Sequence, residues 1–90
     1  MRQLEIIHLR SSDELAETLS EQIRESVREA EGDIKAVTLY RRRGLHTDVA
    51  IHINHLEGLE ANELSRLGIR LASALKAYGL VEHTLWEELT

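Results

Sequence analysis

The chain contains no cysteine, no proline and no phenylalanine. The absence of cysteine excludes disulfides, thiolate metal sites, cysteine nucleophiles and iron–sulfur clusters, and it favours a reducing, cytoplasmic location. Aromatic residues are scarce as well, since Tyr40, Tyr78 and Trp86 are the only ones. A surface for stacking bases or a flat cofactor would have little material, so we predict no bound cofactor.

Positive charge is in the minority. The 90 residues include 11 Lys and Arg against 16 Asp and Glu, for a formal net charge of −5. Because binding to polyanions depends on clustered Lys and Arg, we expect no nucleic-acid partner. No apolar run approaches the ~20 residues of a membrane-spanning helix, and the first ten residues, MRQLEIIHLR, lack the apolar core of a signal peptide. We therefore expect a cytoplasmic protein that does not contact a membrane.

The length of the chain suits one α+β domain over residues 1–90. Its hydrophobic pattern begins with a short strand, which a helix follows. The run LEIIHL, residues 4–9, is apolar on both faces, because Leu4 and Ile6 point one way and Ile7 and Leu9 the other. The motif SSDE at residues 11–14 matches a capping box and predicts the start of a helix that Gly32 ends. The predicted buried stripe of this helix consists of Leu15, Leu19, Ile23, Val27 and Ala30.

Two further strands, a second helix and a last strand follow. Residues 34–40 are rich in β-forming side chains, and residues 48–54 alternate strictly, which predicts a hairpin joined by RRRGLHT. A helix from about Glu60 to Tyr78 should end at Gly79. Its predicted apolar stripe consists of Leu64, Leu67, Leu71, Ala74, Leu75 and Tyr78, with Gly68 and Ala72 beside it for close packing. Residues 80–89 alternate and are predicted to form a fourth strand, with a short helix as the alternative.

The resulting order, βαββαβ, resembles the ferredoxin-like fold, a four-stranded antiparallel sheet with both helices on one face. The opposite face then lies open, yet the first strand is apolar on both sides, so we expect a second copy of the chain to cover it. That arrangement is similar to the dimeric α+β barrel superfamily, which includes the antibiotic-biosynthesis-monooxygenase family. A regulatory ACT-like module has the same element order and also dimerises, often edge to edge.

Histidine is the residue type that carries the candidate chemistry. His52 and His55 have H-x-x-H spacing, but residues three apart in a strand point to opposite faces, so we predict no metal site there and place His55 in a solvated loop. The first strand lies between the third and fourth in this fold, so His8 and His83 could join His52 on one face. We name His52, His83 and His8 as candidate catalytic residues, with a three-imidazole metal site and three separately satisfied polar side chains as the alternatives.

The hairpin and the last strand supply candidate ligand contacts. Arg41 and Arg43 lie in RRRG and could bind an anion or a substrate carboxylate, although a solvated turn is the simpler interpretation. Trp86 is a third candidate ligand contact, although packing against its neighbours is the simpler interpretation. Two functions remain open: a small homodimeric binding module whose open sheet faces form the interface or a small-molecule pocket, and a cofactor-independent enzyme acting on a small apolar metabolite with a histidine as acid/base or orienting group.

Overall fold

A computed structural model describes residues 3–11, 16–29, 34–45, 47–55 and 64–89. The elements follow the predicted order βαββαβ, and residues 80–87 form a strand and not a helix. Their bounds are β1 (Gln3–Ser11), α1 (Ala16–Glu29), β2 (Ile34–Arg41), β3 (Asp48–His55), α2 (Arg66–Leu75) and β4 (Gly79–Glu87). None of the helices in these ranges has the length and apolar character that crossing a membrane requires.

The four strands form one antiparallel sheet in the order β2-β3-β1-β4, so β1 lies between β3 and β4 as predicted. Both helices cover the same face of the sheet, and the core lies between the two layers. This core contains Ile7 and Leu9 of β1, Val49, Ile51 and Ile53 of β3, Leu19 and Ile23 of α1, and Leu67, Leu71, Ala72 and Leu75 of α2. The odd-numbered residues of β1 and β3 therefore face the helices, and the even-numbered ones face away.

Local sequence explains where the elements join. In the β2–β3 hairpin, Gly44 has a φ of 84°, a left-handed conformation that glycine adopts without a steric penalty. At the start of α2, the Ser65 hydroxyl accepts a hydrogen bond of 2.9 Å from the backbone N–H of Gly68, which is a standard N-cap. The chain reverses after Leu75 and enters β4 at Gly79.

Three predicted details of the helices require correction or lie outside the described residues. Ser11 is the last residue of β1 and its hydroxyl donates to the Thr47 carbonyl, while the rest of the predicted capping box lies outside the described residues. The second helix begins at Arg66, well after Glu60, because Ser65 caps it. Ala74 is exposed and Gly68 and Ala72 are buried, so the buried stripe is rotated from the predicted one.

Candidate functional site

The open face of the sheet is an ordered grid of side chains, because the register of all four strands is regular there. Reading across β2, β3, β1 and β4, the paired rows are Arg42–Asp48–Arg10–Leu80, Tyr40–Ala50–His8–Glu82 and Thr38–His52–Ile6–Thr84, followed by Asn54–Leu4–Trp86 across the last three strands. Ile6 and Leu4 lie on β1, one of the two inner strands, and no helix in the described part of the chain covers them. We call this surface the open face.

His52 and His8, two of the three predicted catalytic histidines, lie on the open face. The ring of His52 packs against Tyr40, with 4.6 Å between the ring centroids and an interplanar angle of 55°. Partial burial lowers the pKa of His52 below its ordinary value of 6.5, because desolvation disfavours the charged ring. A neutral imidazole at neutral pH can accept a proton or a hydrogen bond, which is the property a base or an orienting group needs.

His8 belongs to a separate charged cluster at the hairpin end of the open face. Asp48 is only 3% exposed, although it faces away from the core. Its Oδ2 lies 3.2 Å from His8 Nε2, 3.4 Å from an Arg42 guanidinium nitrogen and 3.9 Å from Arg10 Nε. We call these four residues the Asp48 cluster. One carboxylate is thus shared by two permanent cations and an imidazole, and the arginine side chains shield it from water.

A cavity of about 280 Å³ opens beside this cluster. Ile6, Tyr40, Val49 and Ala50 supply its apolar wall, and His8, Arg41, Arg42 and Asp48 supply its polar one. An apolar pocket with a few convergent polar groups is the usual form of a small-molecule site.

The third candidate histidine, His83, lies on the other face, so the three histidines do not share one face as they could have done. His83 shares its parity with Val81 and Leu85, which point towards the helices. There its Nε2 donates to Glu5 Oε2 at 2.5 Å. His55 donates from its own Nε2 to the other oxygen, Glu5 Oε1, at 2.9 Å. The placement of His55 in a solvated loop is also wrong, because it ends β3 and is 3% exposed.

We call Glu5, His55 and His83 the Glu5 cluster, and the start of α2 completes it. Glu5 is fully buried, and the backbone N–H of Ser65 also donates to Oε1, at 3.4 Å. A carboxylate at a helix N-terminus is favoured by the unpaired N–H groups and the helix dipole. Gly68, in the first turn of α2, is required by this packing, because a Cβ there would overlap the Glu5 carboxylate and lie 3.0 Å from His83 Nε2.

The Glu5 cluster was missed in the sequence, although alternation contained a signal for it. Glu5 has the same parity as Ile7 and Leu9, so a strand with a buried odd face necessarily buries a carboxylate. A buried carboxylate needs donors. His55 continues the odd alternation of Val49, Ile51 and Ile53 by two residues, and it was assigned to a loop only because the run was ended too early.

The candidate ligand contacts are divided between locations. Trp86 is 57% exposed at the end of the open face, where its indole N–H donates to the Thr84 hydroxyl at 2.8 Å. Arg41 lines the cavity, Arg43 is exposed in the turn, and Arg42 between them contacts Asp48. Within the described ranges, no three His, Asp or Glu side chains are arranged to hold a metal ion.

Comparison with known proteins finds a shared fold without a sequence relative. No protein-family model matches the chain, and neither does any curated protein. Among solved structures, Rv0793 from Mycobacterium tuberculosis has a TM-score of 0.70 at 11% sequence identity, over 100% of this chain and 97% of that one. SnoaB, a cofactor-independent oxygenase from Streptomyces nogalater, has a TM-score of 0.70 at 14% identity, over 99% of this chain and 94% of that one. This chain shares the ferredoxin-like fold of both structures.

Proposed function

We propose that the chain is a homodimeric binding module in which the open faces of two copies pack together and enclose the cavity beside the Asp48 cluster as a small-molecule pocket. The observation that carries this proposal is the uncovered apolar centre of the open face. Tyr40 and Trp86 are 50% and 57% exposed there, with Ile6 and Leu4 between them. Apolar surface that none of the described elements covers is a common feature of an interface.

The register supports a two-fold arrangement. A two-fold axis parallel to the strands exchanges the sheet edges, so β3 of one copy lies over β1 of the other and β2 lies over β4. Each row of one copy then lies over the equivalent row of the other copy. This brings Asp48 opposite Arg10 of the partner subunit and Tyr40 opposite Glu82 of the partner subunit. Packed sheets keep their strands within about 30° of one another, so the rows remain close to this alignment. This arrangement therefore pairs opposite charges where Asp48 faces the partner subunit's Arg10.

The open face is also large enough for a modest interface. Four strands about 4.8 Å apart, with four rows about 6.6 Å apart, make a surface on the order of 500 Å² per copy before the relief of the side chains is added. Stable interfaces bury about 800 Å² per partner. The flat projection of the open face, on the order of 500 Å², thus already amounts to more than half of that area.

Sedimentation equilibrium tests the dimer with a matched pair of variants. Ile6→Glu places a charge at the centre of the open face and should give a monomer. Ile69→Glu makes the same change at a residue that is 53% exposed on α2, and it should remain dimeric like the wild type. Far-UV circular dichroism checks that both variants fold. A wild-type monomer at micromolar concentration, or a dimeric Ile6→Glu variant, contradicts the proposal.

A second candidate function, a cofactor-independent acid/base enzyme acting on a small apolar metabolite, is favoured by the Glu5 cluster. Because a carboxylate oxygen accepts, His83 donates from Nε2, and the Nδ1 of the neutral ring then carries a lone pair that can take a proton. The His83 side chain is 12% exposed, whereas that of His55 is 2% exposed. His83 is thus the member of the cluster that a substrate would reach, with Glu5 holding its orientation.

The enzyme hypothesis is tested by aerobic oxygen consumption with a panel of polycyclic hydroquinones. His83→Asn should abolish turnover, and His52→Gln separates a base on the open face from one on the helix face. If no hydroquinone is consumed faster with the protein than without it, this candidate is excluded for that substrate class. A rate that His83→Asn leaves unchanged removes His83 from the mechanism.

A further inference from the structure

The Asp48 cluster carries more positive than negative charge. Asp48 is its single carboxylate, and it faces Arg10 and Arg42, which are always charged, as well as His8. Arg41 adds another cation to the cavity wall. Glu82 pairs across the strands with His8 but is exposed. The polar side of the cavity therefore keeps a net positive charge when His8 is neutral.

The arginines retain donors that Asp48 does not use. A guanidinium has five N–H groups in a planar fork, and the described contacts of Arg42 with Asp48 use one nitrogen. Arg42 lines the cavity and its side chain is 60% exposed, so its fork can reach a molecule there. Arg10 is not among the lining residues, but its exposed guanidinium lies 3.9 Å from Asp48 and adds positive charge nearby. A planar fork matches a carboxylate with two parallel hydrogen bonds.

The volume and the lining of the cavity indicate the size and the apolar character of the rest of the ligand. An engineered cavity of about 150 Å³ holds benzene, and this one measures about 280 Å³. By that scale it holds roughly one fused two-ring body. Ile6, Ala50 and Tyr40 offer this body an apolar surface and one aromatic ring.

We propose that the ligand is a small apolar monocarboxylate, whose carboxylate pairs with Arg42 while its body packs on Ile6, Ala50 and Tyr40. This rests on the proposed function, since it names the ligand class of the same pocket. Asp48 is the positioning residue, because it contacts the Arg42 guanidinium at 3.4 Å in the wall of the cavity.

The experiment compares naphthoate with uncharged naphthamide, by NMR titration of the full-length wild-type chain. Naphthoate should bind at least about tenfold more tightly, the difference expected when a ligand gains one charge-assisted hydrogen bond pair. Arg42→Gln should reduce that preference about tenfold and Arg10→Gln by a smaller factor. Arg66→Gln, at an exposed residue of α2, is the matched control and should keep the wild-type preference.

Each outcome separates the two proposals. Equal binding of naphthoate and naphthamide overturns the carboxylate inference and leaves a pocket for neutral ligands. A preference that survives in both arginine variants also overturns it, because the anion then pairs elsewhere. If inorganic phosphate binds as tightly as naphthoate, the apolar wall contributes nothing to affinity, and that part of the proposal is overturned. If neither naphthyl compound binds at millimolar concentration to a protein that sediments as a dimer, the pocket itself is refuted while the dimer stands.

Discussion

Gly68→Ala is the substitution that most directly tests the Glu5 cluster. In most helices this change stabilises, by up to about 1 kcal/mol, because alanine has the higher helix propensity. Here the added Cβ would occupy the position of the Glu5 carboxylate and approach His83 Nε2 to 3.0 Å. Glu5 cannot yield freely, since His55, His83 and the Ser65 N–H hold both of its oxygens.

The expected magnitude follows from the opposing terms. Inserting a methyl group into a packed site, together with the shifts that it forces on its neighbours, costs about 1–3 kcal/mol. Here the shift weakens the hydrogen bonds of the Glu5 carboxylate, so we expect a cost of about 2–3 kcal/mol, in the upper half of that range. Offset by the propensity gain, Gly68→Ala should lower the free energy of unfolding by about 1–3 kcal/mol. In a Glu5→Ala background the obstacle is gone, and the same change should become neutral or stabilising.

Urea denaturation of the four proteins of this double-mutant cycle gives the coupling between Gly68 and Glu5, which we expect to be about 2–3 kcal/mol. Glu5→Ala alone should cost about 3–5 kcal/mol, because two buried histidines lose their acceptor. Ala74→Gly, at an exposed position of α2, measures the helix-propensity contribution separately. The reasoning is refuted if Gly68→Ala stabilises the wild type, or if its effect is the same with and without Glu5.

Three other predictions concern single residues. His52→Gln should make the loss of stability in acid less steep. Burial lowers the pKa of His52 in the folded protein below 6.5, so the unfolded chain binds the proton more readily, and the stability that neutral His52 contributes in full above pH 6.5 is lost as the pH falls through the folded pKa. Equal slopes of stability against pH in acid, from urea melts of the variant and the wild type, would contradict this. Asp48→Asn should cost about 1–2 kcal/mol in urea melts, because Arg10, Arg42 and His8 lose their shared anion; a cost below about 0.5 kcal/mol would show that the cluster is solvated. Ser65→Ala should lower the thermal midpoint by removing the N-cap worth about 1 kcal/mol, whereas Ser65→Thr, which keeps the hydroxyl and adds no charge beside Glu5, should retain most of it.

Much of the fold was predictable because its signals are local. Strict alternation in residues 48–54 and the two-sided β1 identify strands without reference to the rest of the chain, and the order of elements then favours the ferredoxin-like sheet. The position of His52 on the open face follows from the same parity, which placed it on the opposite side of the strand from Ile51 and Ile53. The helix boundaries were less predictable, because apolar periodicity extends beyond the capping residue that starts α2.

The site was predictable only in part, because the sequence of one strand does not show which of its two sides points to the same face of the sheet as a given side of another strand. His83 shares its parity with Val81 and Leu85 in the sequence, but whether that parity faces the helices or the open side depends on how β4 docks beside β1. Arg41 and Arg43 were chosen from RRRG, whereas strand register selects Arg42 for the contact with Asp48. The role of any of these residues in binding or catalysis stays a prediction.

Composition, alternation and element order determined by themselves the α+β architecture, the hairpin and an apolar first strand, because each depends on neighbours a few residues apart. Only the tertiary structure decided which ionisable groups meet. Glu5 contacts histidines 50 and 78 residues away in the chain, and the close approach at Gly68 depends on the docking of α2. Such contacts arise from register and packing between distant segments, which no local pattern specifies.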